Sequence, residues 1–156
     1  MGKRTAVIIS PSSSAVLGLG ATVITNRREI AADDFFVGMY TTALDEGEII
    51  TAVRFPIPKR AAYMKFKQPA SRFSLVGVFV AQFDAGVRVA VTGASSCVFR
   101  HAGLEAALSG SFTPQAAAAV AIDASDLNAD LHASAAYRAN LISVQTQRAV
   151  AKMTGA

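Results

Sequence analysis

Two hydrophobic rhythms divide this chain. Between residues 48 and 100 apolar side chains alternate or form short continuous runs, and from Ala102 onward they recur at helical spacing. A strand-rich centre followed by helices predicts an α+β fold, with helices packed on one face of an antiparallel sheet. Residues 48–55 alternate cleanly, with Ile49, Thr51, Val53 and Phe55 on one face and Ile50, Ala52 and Arg54 on the other. On this count Ile50 is free of the hydrophobic set formed by Val53 and Phe55. Pro56 and Pro58 end the strand, because neither can donate a ladder hydrogen bond. Residues 61–67 make a further strand whose outward set is Tyr63, Lys65 and Lys67. Residues 75–83 are apolar on both faces, as a central strand covered on both sides must be. Asp84-Ala85-Gly86 turns this strand into 87–91, and another strand is expected around 96–100.

The flanks read as follows. Residues 6–9 form a short strand, 15–19 a brief helix closed by Gly20, and 21–25 a β-branched strand. Asn26-Arg27-Arg28 is a turn, and 30–36 a short helical turn with acids beside two phenylalanines. After the sheet come helices at 104–108, stopped near Gly110, and at 115–122, capped by Thr113 with Pro114 in the first position. Residues 126–134 are polar and turn-like. A last helix over 135–153 places Leu141, Val144 and Val150 or Ala151 on one stripe. The prolines mark a domain boundary, giving units 1–57 and 58–156.

With 156 residues the chain can bury one core, or one small domain plus part of another. Its 52% hydrophobic and 17% charged residues exclude a disordered chain. The net charge of +4 is dispersed in pairs and single sites, without a basic run or an interleaved aromatic stripe, so nucleic acid is not the expected partner. A single cysteine, Cys97, makes no internal disulfide and reads as a small buried residue; this points to a reducing, cytoplasmic setting. The apolar stretch 5–9 is short for a signal segment, and no run is long enough to span a bilayer.

Neither His101 nor His132 sits in a spaced ligand set, so no metal site is expected. Ser95, Ser96, Cys97 and His101 read as a strand edge with satisfied hydroxyls, not a nucleophile and its base. Asp33-Asp34, Asp123, Asp126 and Asp130 read as caps and surface carboxylates, leaving no catalytic residue. There is no phosphate loop and no dinucleotide fingerprint; Gly18 and Gly20 close a helix before a strand, the reverse of the required order. What remains is Tyr63, Lys65 and Lys67 on one strand face. Two readings fit them: an edge strand protected by lysines, or a contact surface for an anionic cofactor or partner.

Five segments in order carry a family resemblance: Arg28-Glu29-Ile30 with 33–44, then 46–56, 63–73, 89–94 and 127–138. Together they resemble the FAD-binding medium subunits of molybdenum hydroxylases, of the carbon monoxide dehydrogenase and xanthine dehydrogenase type. The resemblance implies a remnant of the FAD-binding domain over 1–57 and the flavoprotein C-terminal domain over 58–156. It implies an oxidoreductase subunit in which FAD relays electrons from the iron–sulfur clusters of a small subunit to an acceptor, while a large subunit holds molybdenum. Position by position, Ile50 matches an apolar residue that touches the isoalloxazine and Tyr63 an aromatic beside the ring. Lys67 matches a lysine near it, where positive charge favours the reduced flavin. The family's two glycine-rich loops and the Asp after them have no counterpart in 2–14. The expectation is therefore a truncated subunit, inactive when isolated; the alternative is a structural docking module that holds no flavin by itself.

Overall fold

The computed structural model describes residues 11–155; the strand expected at 6–9 lies outside them. The first part of the chain forms α1 (Pro11–Leu19), β1 (Thr22–Thr25), β2 (Glu29–Ala31), α2 (Ala32–Phe35), β3 (Phe36–Gly38), β4 (Thr41–Thr42) and β5 (Ile50–Arg54). The second forms β6 (Arg60–Lys67), β7 (Ser74–Phe83), β8 (Gly86–Thr92), β9 (Phe99–Arg100), α3 (Ala102–Gly110), α4 (Pro114–Ala118) and α5 (Ala135–Thr154). Among the described residues three antiparallel sheets result, in the orders β2-β1-β5, β3-β4 and β6-β7-β8-β9. The α+β class is the expected one.

The four-stranded sheet carries the main core. Val76, Val78 and Val80 of β7 and Val87, Val89 and Val91 of β8 point to one side, where they meet Leu104 and Leu108 of α3 and Leu141, Ile142 and Val150 of α5. Each buried valine is worth about 1.5 kcal/mol or more. The opposite face of β7 is covered too. There Phe79 and Ala90 face α1 at Gly18, where an added Cβ would stand 2.6 Å from the Phe79 ring. The two-sided apolar pattern of β7 follows from this arrangement: α3, α4 and α5 pack on one side and α1 on the other.

The β8 edge is finished by side chains. The two residues of β9 pair only with Ala90 and Val91. Beyond them, Val89 N–H donates to Glu105 Oε1 (2.9 Å) and Val87 N–H to Ser109 Oγ (2.9 Å), so α3 takes the place of a longer strand. The strand expected around 96–100 is confined to Phe99–Arg100, because residues 96–98 would fall opposite Thr92, the last residue of β8, and the turn at Gly93.

Other differences have local causes. Only 32–35 of the expected 30–36 helical turn is helical, because Ile30 pairs with Val23 in the small sheet. Its continuation, Phe36–Gly38, forms a hairpin with Thr41–Thr42. Helix α4 ends at Ala118, which turns the half-buried Val120 and Ile122 onto the main core. The buried stripe of α5 contains Arg138, Leu141, Ile142, Gln145 and Ala149, with Val144 half-buried. Arg138 sets this rotation: buried at 3% exposure, it donates to Leu75 O (2.8 Å), Gly93 O (2.9 Å) and Asp130 Oδ2 (2.8 Å). It thereby ties α5 to the start of β7 and the turn after β8. Gly93, at φ 80°, lets that turn close; a Cβ there would stand 2.5 Å from Ser74 O.

Arg138→Met keeps the packed stem but leaves the two carbonyls without their donor. Urea unfolding should report a loss of about 2–4 kcal/mol. A change within about 0.5 kcal/mol would show that Arg138 does not hold the turn.

Candidate functional site

Ile50 is placed by a β-bulge. Thr25 pairs with Ile50 and Ile24 with Ala52, so Thr51 is the extra residue, and its Oγ1 donates to Ile24 O (3.2 Å). Val53 pairs with Val23, two residues before Thr25. Ile50 and Val53 therefore face the same way, and both pack half-buried on the second hydrophobic cluster, with Val23, Phe35 and Phe79. This corrects the strict alternation expected of the strand: Ile50 is not free of the hydrophobic set. The neighbouring Ile49 is 65% exposed.

The segment leading to Ile50 is held by a buried carboxylate. Glu48 accepts from Thr25 Oγ1 (2.8 Å), Arg28 Nε (3.0 Å), Arg28 Nη2 (3.0 Å) and Asp45 N–H (2.8 Å). Arg28 Nη2 also donates to Ala43 O (2.7 Å). The Arg28 hydrogen bond, followed by the Asp45 amide, holds the Glu48 carboxyl down to about 2, and the same bond raises Arg28. Nothing local in the sequence signals this cluster. Arg28 and Glu48 are 20 residues apart and meet only because β1 pairs with β5.

On β6, Tyr63 lies opposite Phe79, and its ring crosses Gly77 to reach Ser74, with Oη 2.8 Å from Ser74 Oγ. A Cβ on Gly77 would stand 2.3 Å from that Oη, so only glycine leaves room for the ring. Lys65 bends back to Arg72 O (3.3 Å). Lys67 is exposed, and its ammonium makes no hydrogen bond or ion pair with the described residues. The loop after it is tight: Gln68 N–H donates to Phe73 O (2.9 Å) and Arg72 N–H to Gln68 O (3.0 Å), with Arg72 in the left-handed region at φ 63°. No acid occurs between Arg60 and Phe83, so β6, β7 and the loop joining them carry only positive charge, from Arg60, Lys65, Lys67 and Arg72. Tyr63 is the cross-strand neighbour of Phe79, and Ile50 and Phe79 both pack against the second hydrophobic cluster. Lys67 lies about 13 Å further along the strand than Tyr63. Tyr63 and Lys67 thus share a strand without forming a compact cluster, and Ile50 sits on the small sheet β2-β1-β5.

Ser95, Cys97 and His101 share a cavity of about 310 Å³ with Asp123 and Asp126. Cys97 is half-buried there, more open than expected. His101 is not placed as a base, because its Nδ1 already accepts from Leu104 N–H (3.2 Å). Among the described residues no group of three His, Cys, Asp or Glu could hold a metal ion. No helix among them is long and apolar enough to cross a membrane.

The sequence model for the FAD binding domain in molybdopterin dehydrogenase matches residues 5–58, a span that includes Ile50 but not Tyr63 or Lys67. The nicotine 6-hydroxylase medium subunit of Paenarthrobacter nicotinovorans is 36% identical over 137 residues, 81% of this chain and 48% of that protein. The carbon monoxide dehydrogenase medium chain of Hydrogenophaga pseudoflava is 31% identical over 136 residues, 80% of this chain and 47% of that one. The chain belongs to the family of FAD-binding medium subunits of molybdenum hydroxylases. It spans about half the length of the curated medium subunits it matches. Two solved structures share the fold. Quinoline 2-oxidoreductase from Pseudomonas putida 86 has a TM-score of 0.76 at 24% identity, covering 90% of this chain and 54% of that one. The Cu,Mo-CO dehydrogenase has a TM-score of 0.74 at 23% identity, covering 90% and 55%.

The Glu48 cluster has a pH signature. A carboxyl held below its ordinary 4.5 stabilises the fold above that value, and the contribution is lost as pH falls toward about 2. The urea midpoint should therefore drop over this window, and more steeply than in Glu48→Gln. Parallel curves would exclude Glu48 as the titrating support of the 43–50 segment.

Proposed function

We propose that this chain forms one wall of the flavin site of a molybdenum hydroxylase medium subunit, with Ile50, Tyr63 and Lys67 facing the cofactor. The carrying observation is Lys67, a cation without a partner among the described residues, on the strand face where Tyr63 lies across Gly77. These groups fit FAD chemically. Half-buried Ile50 and the Tyr63 ring offer apolar surface to a flat ring system, and an unpaired ammonium suits the negative charge that the ring gains on reduction. Bound flavin supplies the capacity to take up and pass on electrons. The chain's own part is to position it: Glu48 and Arg28 fix the approach to Ile50, and Gly77 seats the Tyr63 ring.

In the assembled enzyme the flavin relays electrons from the iron–sulfur clusters of a small subunit to an acceptor, and a large subunit holds the molybdenum centre. On this reading residues 1–57 belong to the flavin-binding domain and 58–156 to the C-terminal domain. The match to the FAD-domain sequence model, which ends at residue 58, supports that division.

Titration of purified chain with FAD, followed by flavin fluorescence, tests the proposal. Saturable binding is expected, weakened about tenfold or more by Lys67→Ala, the equivalent of one lost charge-assisted hydrogen bond. Unchanged affinity and flavin potential would remove Lys67 from the site. Failure to bind FAD, together with stable association with iron–sulfur and molybdenum subunits, would favour the docking-module reading instead.

A further inference from the structure

Helix α3 depends on an unusual cap. Helices α4 and α5 begin on hydroxyl caps, Thr113 and Ser134, whose oxygens accept from the third residue on. Helix α3 begins on His101, whose Nδ1 accepts from Leu104 N–H (3.2 Å) while its backbone N–H donates to Val89 O (3.0 Å). His101 therefore joins the first turn of α3 to the β8 edge. One turn on, Glu105 and Ser109 accept from the Val89 and Val87 amides along that edge.

A serine or threonine cap works at every pH. An imidazole cap works only while Nδ1 is unprotonated, because a proton there removes the acceptor and places positive charge at the positive end of the helix dipole. The groups around the ring divide. Glu105 favours the imidazolium, but its carboxylate is already engaged by Arg100, through Nε (2.8 Å) and Nη2 (2.6 Å), and Arg100 also approaches Asp33. Asp123, Asp126 and the Cys97 thiol line the cavity on the other side. Burial outweighs the Glu105 carboxylate and holds His101 below its ordinary 6.5.

We propose that His101 is a proton-sensitive latch, whose protonation releases the first turn of α3 and with it the side-chain closure of the β8 edge. The direction follows from linkage. The latch is closed above about 6.5, and its contribution is lost as pH falls through the lower folded value. The Val89 contact opens first, since Glu105 lies in the turn that His101 caps, and an unpaired stretch of β8 is then exposed.

Amide hydrogen exchange on the full chain between about pH 7.5 and about pH 5, corrected for intrinsic rates, tests this. Protection of Leu104 and Val89 should fall about fivefold or more, the equivalent of one lost cap, while Ile142 in α5 stays protected. In His101→Asn, which keeps an acceptor but does not titrate, protection should stay flat. Unchanged protection in the wild type, or a parallel fall in the Asn variant, would overturn the latch. Should the variant not fold, the wild type decides alone: the His101 ring titration, followed by NMR, must coincide with the loss of Leu104 protection, and a mismatch rejects the proposal.

Discussion

Strand β7 is where the two hydrophobic clusters meet, and the rest of the structure depends on its being buried on both faces. Val76, Val78 and Val80 fill the side facing α3 and α5, while Phe79 presses on α1 at Gly18 from the other. A strand placed in this way must pair on both edges, since its backbone groups have no access to water. It does, with β6 and β8. The same burial removes freedom from its neighbours. Gly77 has no side chain because Tyr63 occupies that space, and Gly93 has none because the chain turns against the Ser74 and Leu75 carbonyls.

The proposed flavin wall inherits its geometry from that strand. Phe79 lies beside Tyr63 in the sheet and packs against the cluster that also receives Ile50, so the leading and trailing parts of the chain share one hydrophobic cluster. Charge reinforces the join. Asp33 of α2 pairs with Arg88 of β8 at 2.9 Å, and Arg88 also donates to Leu17 O at the end of α1. These contacts are partly exposed and individually modest. They nonetheless orient α1 and α2 on the sheet that carries Tyr63 and Lys67.

Much of this was legible along the chain. The strands around residues 50–54, 60–67, 74–83 and 86–92 announce themselves through alternation and breakers, and the Thr113 cap with Pro114 marks α4 by residue type alone. The candidate site was legible as residues but not as a surface. Alternation put Ile50 on the open face, and the Thr51 bulge, which depends on how β1 pairs with β5, turned it into the cluster. Glu48 and Arg28 gave no signal, because an ion pair between a buried carboxylate and an exposed guanidinium 20 residues away leaves no periodicity. Arg138 carries no local mark of its role either: it donates to the Leu75 and Gly93 carbonyls, 63 and 45 residues away in the chain.

By itself the sequence determined the fold class, the order of most elements and the family, because strand and helix periods, prolines and capping residues act over a few positions. Only the tertiary structure decided which faces are covered, where the bulge turns Ile50, and which polar groups carry buried charge. Those outcomes rest on contacts between residues far apart in the chain. Their free energy comes from desolvation and close packing, which no local pattern records.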